Sequence, residues 1–248
     1  MKNVLFKHRS IRKFRPAPIP EEVLRNCLEA AVRASTCGNM QLYSLVVTRE
    51  RALRERLAPC HFNQPMASQA PCLLTVCADV HRFTMWCEQR GADPAYDNFA
   101  WFLNAATDAL LAAQNFCVQA EMHGLGICYL GTTLYTAAEI ARVLELPKGV
   151  IPLTAVAVGY PDETPEPADR LPLEAVVHYE KYTDYTAAEI DELWAEREES
   201  ELTRRLLEEN ELENLAKVFT ERRYVRRDNL AISESYFALL KEQGFFNQ

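Results

Sequence analysis

A run of basic residues near the start of the chain is the densest group of side chains that could bind a ligand. Residues 1–16 contain no acidic residue and six basic ones: Lys2, Lys7, Arg9, Arg12, Lys13 and Arg15. His8 and Ser10 add an imidazole and a hydroxyl group. Arginine stays charged and offers a planar set of donors, so a cluster of this kind suits a phosphate group. A solvated basic terminus, or a patch that binds nucleic acid or a membrane, would have the same composition.

Four further segments carry polar or glycine residues that could contact a ligand. They are residues 34–41 (ASTCGNMQ), residues 63–65 (NQP), the glycine-spaced segment 124–132 (GLGICYLGT), and Arg170 in a proline-rich loop. Glycine and small hydroxyl residues let a ligand approach the backbone closely. Each segment alone is also explained by an ordinary turn or a surface arginine. Their order along the chain is more informative than any one of them.

The composition excludes several classes of protein. The 248 residues carry 27 basic and 35 acidic side chains, a formal charge of −8, with 48% hydrophobic and 25% charged residues. These values are typical of a globular domain and not of a disordered or fibrous chain. No apolar run reaches the roughly 18 residues of a membrane span, and the net negative charge disfavours nucleic acid as a general partner. We therefore expect neither a membrane nor a nucleic-acid partner.

Cysteine and histidine usage points to a reduced protein without a metal. The eight cysteines form no Cys-x-x-Cys pair, and the five histidines are scattered singly. Zinc sites are built from more closely paired ligands, so no metal is expected. The first residues lack the apolar core of a secretory signal. We expect a cytoplasmic protein whose cysteines are mostly small core residues.

Hydrophobic periodicity predicts the elements that must position these segments. Strands are predicted over residues 42–48, 72–78, 127–130 and 150–160, and helices from residue 20, over 52–58, 96–122 and 189–217, and from about 232 to 243. The long helix is predicted to bury a stripe that includes Phe102, Leu103 and Leu110, and Gly124 to end it in a left-handed conformation. The hexapeptide Tyr-Thr-Ala-Ala-Glu-Ile occurs at 135–140 and 185–190, and each copy predicts a capping box that starts a helix.

Taken together, the ordered segments resemble the FMN-dependent nitroreductase family, most closely its branch of NADPH-dependent flavin reductases and oxygen-insensitive NADPH nitroreductases. Residues 8–14 (HRSIRKF) are similar to the branch's His-Arg-Ser-x-Arg-x-Phe, and residues 129–131 (YLG) to its Tyr-Ile-Gly. Residues 35–41 stand at its serine-rich turn and 63–64 at its glutamine turn. Residues 170–172 (RLP) and the ending 241–245 (KEQGF) complete the pattern.

The resemblance implies an α+β sandwich with a central, mostly antiparallel sheet flanked by helices, a C-terminal helical extension, and a homodimer. It implies a flavin-binding core over residues 1–180. Residues 181–248 would be an extension that packs on the core or the partner subunit and is not an independent domain. One FMN per subunit would lie at the dimer interface.

The resemblance also implies roles for individual residues. The phosphate and ribityl end of FMN would be held by His8, Arg9, Ser10 and Arg12, with help from Arg170. The ring or the ribityl hydroxyls would contact Thr36, Gln41 and Gln64. The segment Tyr129, Leu130 and Gly131 would line the ring, with the Gly131 N–H at flavin N5. Hydride would pass from NADPH or NADH to N5 and then to a nitroaromatic, quinone or flavin acceptor, in a ping-pong sequence without a catalytic side chain.

Three departures from the family pattern bear on this expectation. Ala168 and Asp169 stand where the branch often has Lys-Pro before Arg-Leu-Pro, Thr132 replaces the second glycine of Tyr-Ile-Gly-Gly, and the serine run is reduced to Ser35-Thr36. The 2′-phosphate of NADPH would need an arginine, and the candidates are Arg222, Arg223, Arg226 and Arg227. A flavin reductase that supplies a partner, a specialised reductive enzyme, and a nucleic-acid-binding or membrane-binding regulatory protein are the alternatives.

Overall fold

The computed structural model describes residues 4–247 and divides into two compact units. The first contains the chain up to Pro167 together with the segment that begins at Glu234, and the second is Ala168–Ser233. The final residues of the chain therefore belong with the first unit. The domain boundary expected at residue 180 stays a prediction.

The first unit is built on a four-stranded sheet. Its strands are β1 (Tyr43–Thr48), β2 (Cys72–Asp79), β3 (Gly126–Leu130) and β4 (Val150–Gly159), in the order β1-β2-β4-β3, with every neighbouring pair antiparallel. Every residue of β2 and nearly every residue of β4 is buried. Strands that are buried on both faces need a layer of helices on each side.

Helices cover both faces of this sheet. They are α1 (Glu21–Ala31), α2 (Arg51–Leu57), α3 (Pro65–Gln69), α4 (His81–Gln89), α5 (Phe99–Met122) and α6 (Ala137–Val143). One core cluster joins α1 and α5 to one face of the sheet. A second joins α2, α3 and α6 to the other face, and this arrangement is the predicted α+β sandwich.

The C-terminal residues complete the first unit. Leu239, Leu240 and Phe245 are buried in a third cluster with Leu42 and Phe102. The backbone N–H of Gly149 donates to the carbonyl of Gln243 at 3.0 Å. The end of the chain is therefore part of the core of this unit.

The second unit is helical. It contains a 3₁₀ turn (Leu173–Ala175), α7 (Ala187–Glu199), α8 (Glu201–Asn210), α9 (Leu215–Lys217), a π-helical turn (Val218–Arg223) and the first part of α10 (Arg226–Glu242). The charged stretch predicted to be helical over residues 189–217 is helical for most of its length, but it is divided into α7, α8 and α9. At Ser200 the backbone becomes extended (ψ 151°) and the hydroxyl accepts from the N–H of Thr203, which starts α8. Glu211, with φ 54°, ends α8.

The two copies of the hexapeptide both precede helices but are used differently. Thr186 forms the predicted capping box with Glu189 at the start of α7. Thr136 caps no N–H of α6, because its hydroxyl donates to the carbonyl of Cys60 at 2.6 Å. The predicted capping box was therefore wrong for the first copy.

The buried face of α5 coincides only in part with the predicted stripe: Phe102 is buried, but Leu103 and Leu110 are not. Its buried face is rich in alanine, with Ala105, Ala109 and Ala112 fully buried, whereas Leu103 and Leu110 are about half exposed at 50% and 48%. Small residues let α5 lie close to α1 and the sheet. The prediction that Gly124 follows this helix in a left-handed conformation is confirmed, with φ 75°.

Candidate functional site

The basic N-terminal segment lies along the open edge of the sheet. Ser10 forms a parallel bridge with Ile127 of β3, and the N–H of Ile11 donates to the carbonyl of Ile127 at 2.9 Å. Phe14 forms an antiparallel bridge with Pro161, just after β4. The segment is further fixed to α5, where His8 Nδ1 lies 2.5 Å from Glu121 Oε1. The positions of residues 8–14 are therefore set by backbone bonds to β3 and by one side-chain contact.

A carboxylate supports the backbone of this segment and leaves its cations free. Glu163 Oε1 accepts from the backbone N–H groups of Arg12, at 2.5 Å, and Lys13, at 3.0 Å. The bond from Arg12 is the main reason that the pKa of Glu163 is lowered. Among residues 4–247, the guanidinium groups of Arg9 and Arg12 form no ion pair and no hydrogen bond. The backbone that carries these two arginines is held in place, and their charges are available to an anion.

A second part of the site is the loop between α1 and β1. The buried carboxylate of Asp108, on α5, holds this loop at its middle and at its end: Oδ1 accepts from the N–H of Cys37 at 2.9 Å and Oδ2 from the N–H of Leu42 at 3.3 Å. Within the loop, Thr36 Oγ1 is buried and has no hydrogen-bond partner among the described residues. A buried hydroxyl without a partner is rare in a complete structure, which makes Thr36 a candidate ligand contact.

Gln41 lies at the end of the same loop. Its φ is 55°, its side chain is exposed, and its carbonyl accepts from the guanidinium group of Arg82. The amide Nε2 lies 3.3 Å from the carbonyl of Asn39. The side-chain amide of Gln41 is therefore at the surface, and its backbone carbonyl is held by hydrogen bonds from Arg82 and from the N–H of Tyr43.

The third part lies where β3 ends. Gly131 follows β3 directly and begins a 3₁₀ turn, Gly131–Leu134. A Cβ atom at Gly131 would meet nothing within 4 Å, so open space lies beside the backbone at this point. Of the two residues before it, Tyr129 is 37% exposed, whereas Leu130 is only 2% exposed and packs in the core. A ligand could reach Leu130 only through its backbone.

The turn that carries Gln64 is tied to this end of β3. The fully buried His61 places its Nδ1 atom 2.9 Å from Thr132 Oγ1, and its carbonyl accepts from the N–H of Gln64 at 3.0 Å. Burial lowers the pKa of His61 to about 4, so the imidazole is neutral near pH 7. The structure therefore brings Gln64 and Gly131, which are far apart in sequence, into one connected group.

The remaining predicted residues lie in the second unit. Arg170 Nη1 donates to the carbonyls of Ala168, at 3.3 Å, and Asp169, at 2.8 Å. The guanidinium group of Arg223 lies over the ring of Phe219 at 5.6 Å, and Arg227 pairs with Asp228 at 2.9 Å. Their proposed contacts with FMN and NADPH stay predictions.

Sequence reasoning did not find three residues that shape the site: His61, Asp108 and Glu163. Asp108 had a visible signal, because it is a single acid inside the apolar stretch of α5. His61 has no comparable signal, because it is one of five histidines that are scattered singly along the chain. Within residues 4–247, no group of three or more His, Cys, Asp or Glu side chains is arranged to hold a metal ion. No helix in this part of the chain is long and apolar enough to cross a bilayer.

A well-defined cleft lies apart from the predicted residues. It has a volume of about 760 Å³ and is lined by Phe14, Pro71 and the arginines Arg49, Arg51 and Arg54, among others. None of the predicted site residues lines it. Cleft size alone would therefore have pointed to a different part of the first unit.

Comparison with known proteins finds one family model and several relatives. The model of the nitroreductase family matches residues 5–160. A Bacillus subtilis protein named FMN reductase (NADPH) is 33% identical over 180 residues, which are 72% of each chain. A crystal structure of a Bacteroides fragilis protein described as an oxidoreductase is 49% identical, with a TM-score of 0.97 over 98% of this chain and 99% of that one.

A third relative was solved with a nicotinamide nucleotide. The NADPH:FMN oxidoreductase of Vibrio harveyi, in complex with NAD⁺, is 26% identical, with a TM-score of 0.82 over 99% of this chain and 98% of that one. The matched residues 5–160 include the basic segment, the Thr36 loop, the Gln64 turn and Gly131. The family resemblance seen in the sequence is thereby confirmed, together with the α+β fold and the oxidoreductase class. This chain belongs to the nitroreductase family.

Proposed function

We propose that this chain is an FMN-dependent NAD(P)H oxidoreductase that reduces nitroaromatic, quinone or flavin acceptors. The observation that carries the proposal is the placement of the basic segment along β3, whose opposite end is Gly131. Gly131 lies four residue steps beyond Ile127, which is about 13 Å at 3.3 Å per step. An elongated ligand with a phosphate at one end and a flat ring at the other suits this span.

Three features of the first unit fit FMN. The free guanidinium groups of Arg9 and Arg12 match a phosphate. The unpartnered hydroxyl of Thr36 can bond a ribityl or ring oxygen. The open space beside Gly131 leaves its backbone accessible to a planar ring. These are the donor types that the cofactor requires.

The roles of the residues follow from this fit. His8, Arg9, Ser10 and Arg12 would hold the phosphate end, and Arg170 would add a further cation. Thr36, Gln41, Gln64 and the segment 129–131 would position the ring. FMN, when bound, accepts a hydride from NADPH or NADH and passes the electrons to the second substrate. The protein binds and orients the cofactor, and we assign no catalytic side chain.

We further propose that the enzyme is a homodimer. The exposed face of α5 carries Leu103, Leu110 and Leu111, which are 50%, 48% and 45% exposed. A contiguous apolar face of this kind is typical of a protein interface. A second copy of the chain is the occupant that the family resemblance implies, and small molecules would be the other partners.

The test of the proposed function is a spectrum. We expect the protein, purified without added cofactor or after loading with FMN, to show flavin absorbance that bleaches when NADPH or NADH is added without oxygen. Turnover with free FMN, a quinone and a nitrofuran at matched concentrations then separates a general reductase from one that supplies reduced flavin to a partner. A colourless protein that does not bind added FMN would contradict the proposal.

A substitution tests the placement of the phosphate. Arg12→Ala removes a charge-assisted contact of about 1.5–3 kcal/mol, so we expect FMN to bind roughly 10-fold to 150-fold more weakly. Arg90→Ala, an exposed arginine just after α4, is the matched control and should leave the FMN dissociation constant unchanged. Equal FMN affinity in Arg12→Ala and Arg90→Ala would mean that the phosphate lies elsewhere.

A further inference from the structure

Two segments that are about 70 residues apart in sequence are joined by three contacts on one side of the sheet. His61 Nδ1 lies 2.9 Å from Thr132 Oγ1, and the hydroxyl of Thr136 donates to the carbonyl of Cys60 at 2.6 Å. The rings of Phe62 and Tyr135 meet edge to face, with centroids 5.8 Å apart and an angle of 81°. We call residues 60–62 and 132–136 the clamp. Only His61 and Thr132 contribute a side-chain pair to its hydrogen bonding.

Each half of the clamp leads directly into a segment assigned to the flavin ring. Gly131 precedes Thr132, and the carbonyl of His61 accepts from the N–H of Gln64. Between His61 and Gln64 the backbone is left-handed at two consecutive residues, Phe62 at φ 55° and Asn63 at φ 53°. Such conformations persist only where the surroundings hold them. Backbone bonds from Phe62 to Pro59 and from Asn63 to Ala58 hold the turn on its N-terminal side, and the clamp joins it to the segment that follows β3.

His61 is unusual among the polar side chains of the clamp. It is completely buried, and its Nε2 atom has no partner among the described residues. A neutral imidazole can offer one donor and one acceptor, so His61 uses only one of its two nitrogens, toward Thr132. Burying an imidazole with one unpartnered nitrogen costs free energy, and the hydrogen bond to Thr132 offsets part of that cost.

The partner of His61 is a departure of this chain from the family pattern. Thr132 stands where the pattern has the second glycine of Tyr-Ile-Gly-Gly, and glycine has no side chain that could reach an imidazole. The hydrogen bond is therefore a property of this chain and not of the segment as such.

We propose that His61 is a positioning residue, which fixes the backbone of Gly131 against the Gln64 turn through its hydrogen bond to Thr132. The inference rests on the proposed function, because it assigns both segments to the flavin ring. The bond acts on the ring end of the site, whereas the cations of the basic segment act on the phosphate end. Loss of the bond should therefore change the reduction rate and the midpoint potential of bound FMN more than it changes the dissociation constant of FMN.

The test uses pairs of variants that differ by one group. Thr132→Ser keeps the hydroxyl, and Thr132→Val replaces it by a methyl group of similar size. His61→Asn places an amide near the position of Nδ1, and His61→Leu removes both nitrogens. Thr183→Val, at an exposed threonine of the second unit, is the control for loss of a hydroxyl. Circular dichroism and thermal melting establish that each variant folds.

Three measurements are made on the FMN-loaded proteins: the dissociation constant of FMN, the midpoint potential of the bound flavin, and its rate of reduction at saturating NADPH. For Thr132→Val and His61→Leu we expect reduction to be slowed at least tenfold and FMN affinity to change less than threefold. We also expect a tenfold change in the preference for reduced over oxidised flavin, which is about 30 mV for a two-electron couple. Thr132→Ser, His61→Asn and Thr183→Val should stay close to wild type.

A double variant and an unloaded sample complete the test. His61→Leu combined with Thr132→Val should be no slower than either single variant, because all three lack the same bond. In the protein without FMN, the ¹⁵N chemical shift of His61 Nδ1 should move in Thr132→Val and not in Thr183→Val. This readout does not depend on activity.

The outcomes separate the two proposals. Variants that are folded and FMN-loaded but reduce at the wild-type rate with the wild-type potential would overturn the role of His61 and leave the proposed function intact. Equal defects in Thr132→Ser and Thr132→Val would also overturn it, because the hydroxyl would not be the determinant. If Thr132→Val does not fold, Thr132→Gly, the residue of the family pattern, gives the same comparison. A wild-type protein that binds no FMN would overturn the proposed function itself.

Discussion

Asp108 is a buried acid whose two oxygens hold a loop. The residue is only 2% exposed, and its carboxylate accepts from the N–H group of Cys37, which follows Thr36, and from that of Leu42, at the end of the same loop. A carboxylate with both oxygens bonded to backbone donors is satisfied in spite of its burial. The position of Thr36 therefore depends on a side chain of α5, about 70 residues further along the chain.

Asp108→Asn tests this dependence. The amide keeps one acceptor but turns an NH₂ group toward a backbone N–H, so one buried donor loses its partner. We expect the free energy of unfolding to fall by about 2 kcal/mol and FMN to bind more weakly. Urea unfolding and FMN titration are the measurements. Asp93→Asn removes the same charge at an exposed position and should change neither. Wild-type stability in Asp108→Asn would show that its bonds do not hold the loop.

Among the elements, β3 and the segment beside it depend on close contact. Gly126 begins β3, and a Cβ atom at this position would lie 2.5 Å from Ile11 Cγ1 and 2.7 Å from Ile11 Cβ. Contacts this short force neighbouring atoms to move. Since Ile11 is buried within the basic segment, the packing at Gly126 controls where the cations lie.

We expect Gly126→Ala to displace residues 8–14 from β3. Overpacking should lower the free energy of unfolding by about 1–3 kcal/mol and weaken FMN binding by at least tenfold. Differential scanning calorimetry and FMN titration measure the two effects. Gly91→Ala, at a position with a positive φ of 72° and open space around it, adds backbone strain without overpacking and controls for a destabilising glycine substitution away from the site. Weaker FMN binding in Gly91→Ala to the same extent would refute the packing argument.

The elements also show what the sequence can and cannot predict. All four strands and α5 were predicted, because runs of apolar residues record burial directly. Helix α4, from His81 to Gln89, was not predicted, since its aromatic and polar residues form no clear stripe. At the site, the basic segment can be recognised in the sequence, because its residues are basic and none is acidic. The His61–Thr132 pair and the bonds of Asp108 are not, because each joins positions that only the folded sheet brings together.

At the scale of the whole molecule, α5 has two faces of different character. Its alanines face the core and its leucines Leu103, Leu110 and Leu111 face outward. Leu103 and Leu110 were predicted to be buried in the core of their own chain, but they are about half exposed there. In the proposed homodimer, burial against a second chain would satisfy the hydrophobic pattern of these leucines.

Leu110→Glu tests the proposed interface. A charge in the middle of a buried apolar interface is strongly unfavourable, so we expect the mass in solution to fall to that of one chain and FMN to be lost with it. Light scattering after size exclusion and the flavin absorbance of the eluted peak are the measurements. Met85→Glu, at an exposed residue of α4, adds the same charge elsewhere and should leave the mass unchanged. A wild-type mass for Leu110→Glu would place the interface on another face.

The basic segment, residues 8–14, has two roles. It supplies the cations of the site, and it also covers β3, the outer strand of the sheet. An uncovered outer strand is a template on which other polypeptides can add by backbone pairing. The same backbone bonds therefore place the cations and shield β3 from other polypeptides, so a substitution that detaches the segment, such as Gly126→Ala, should also promote self-association.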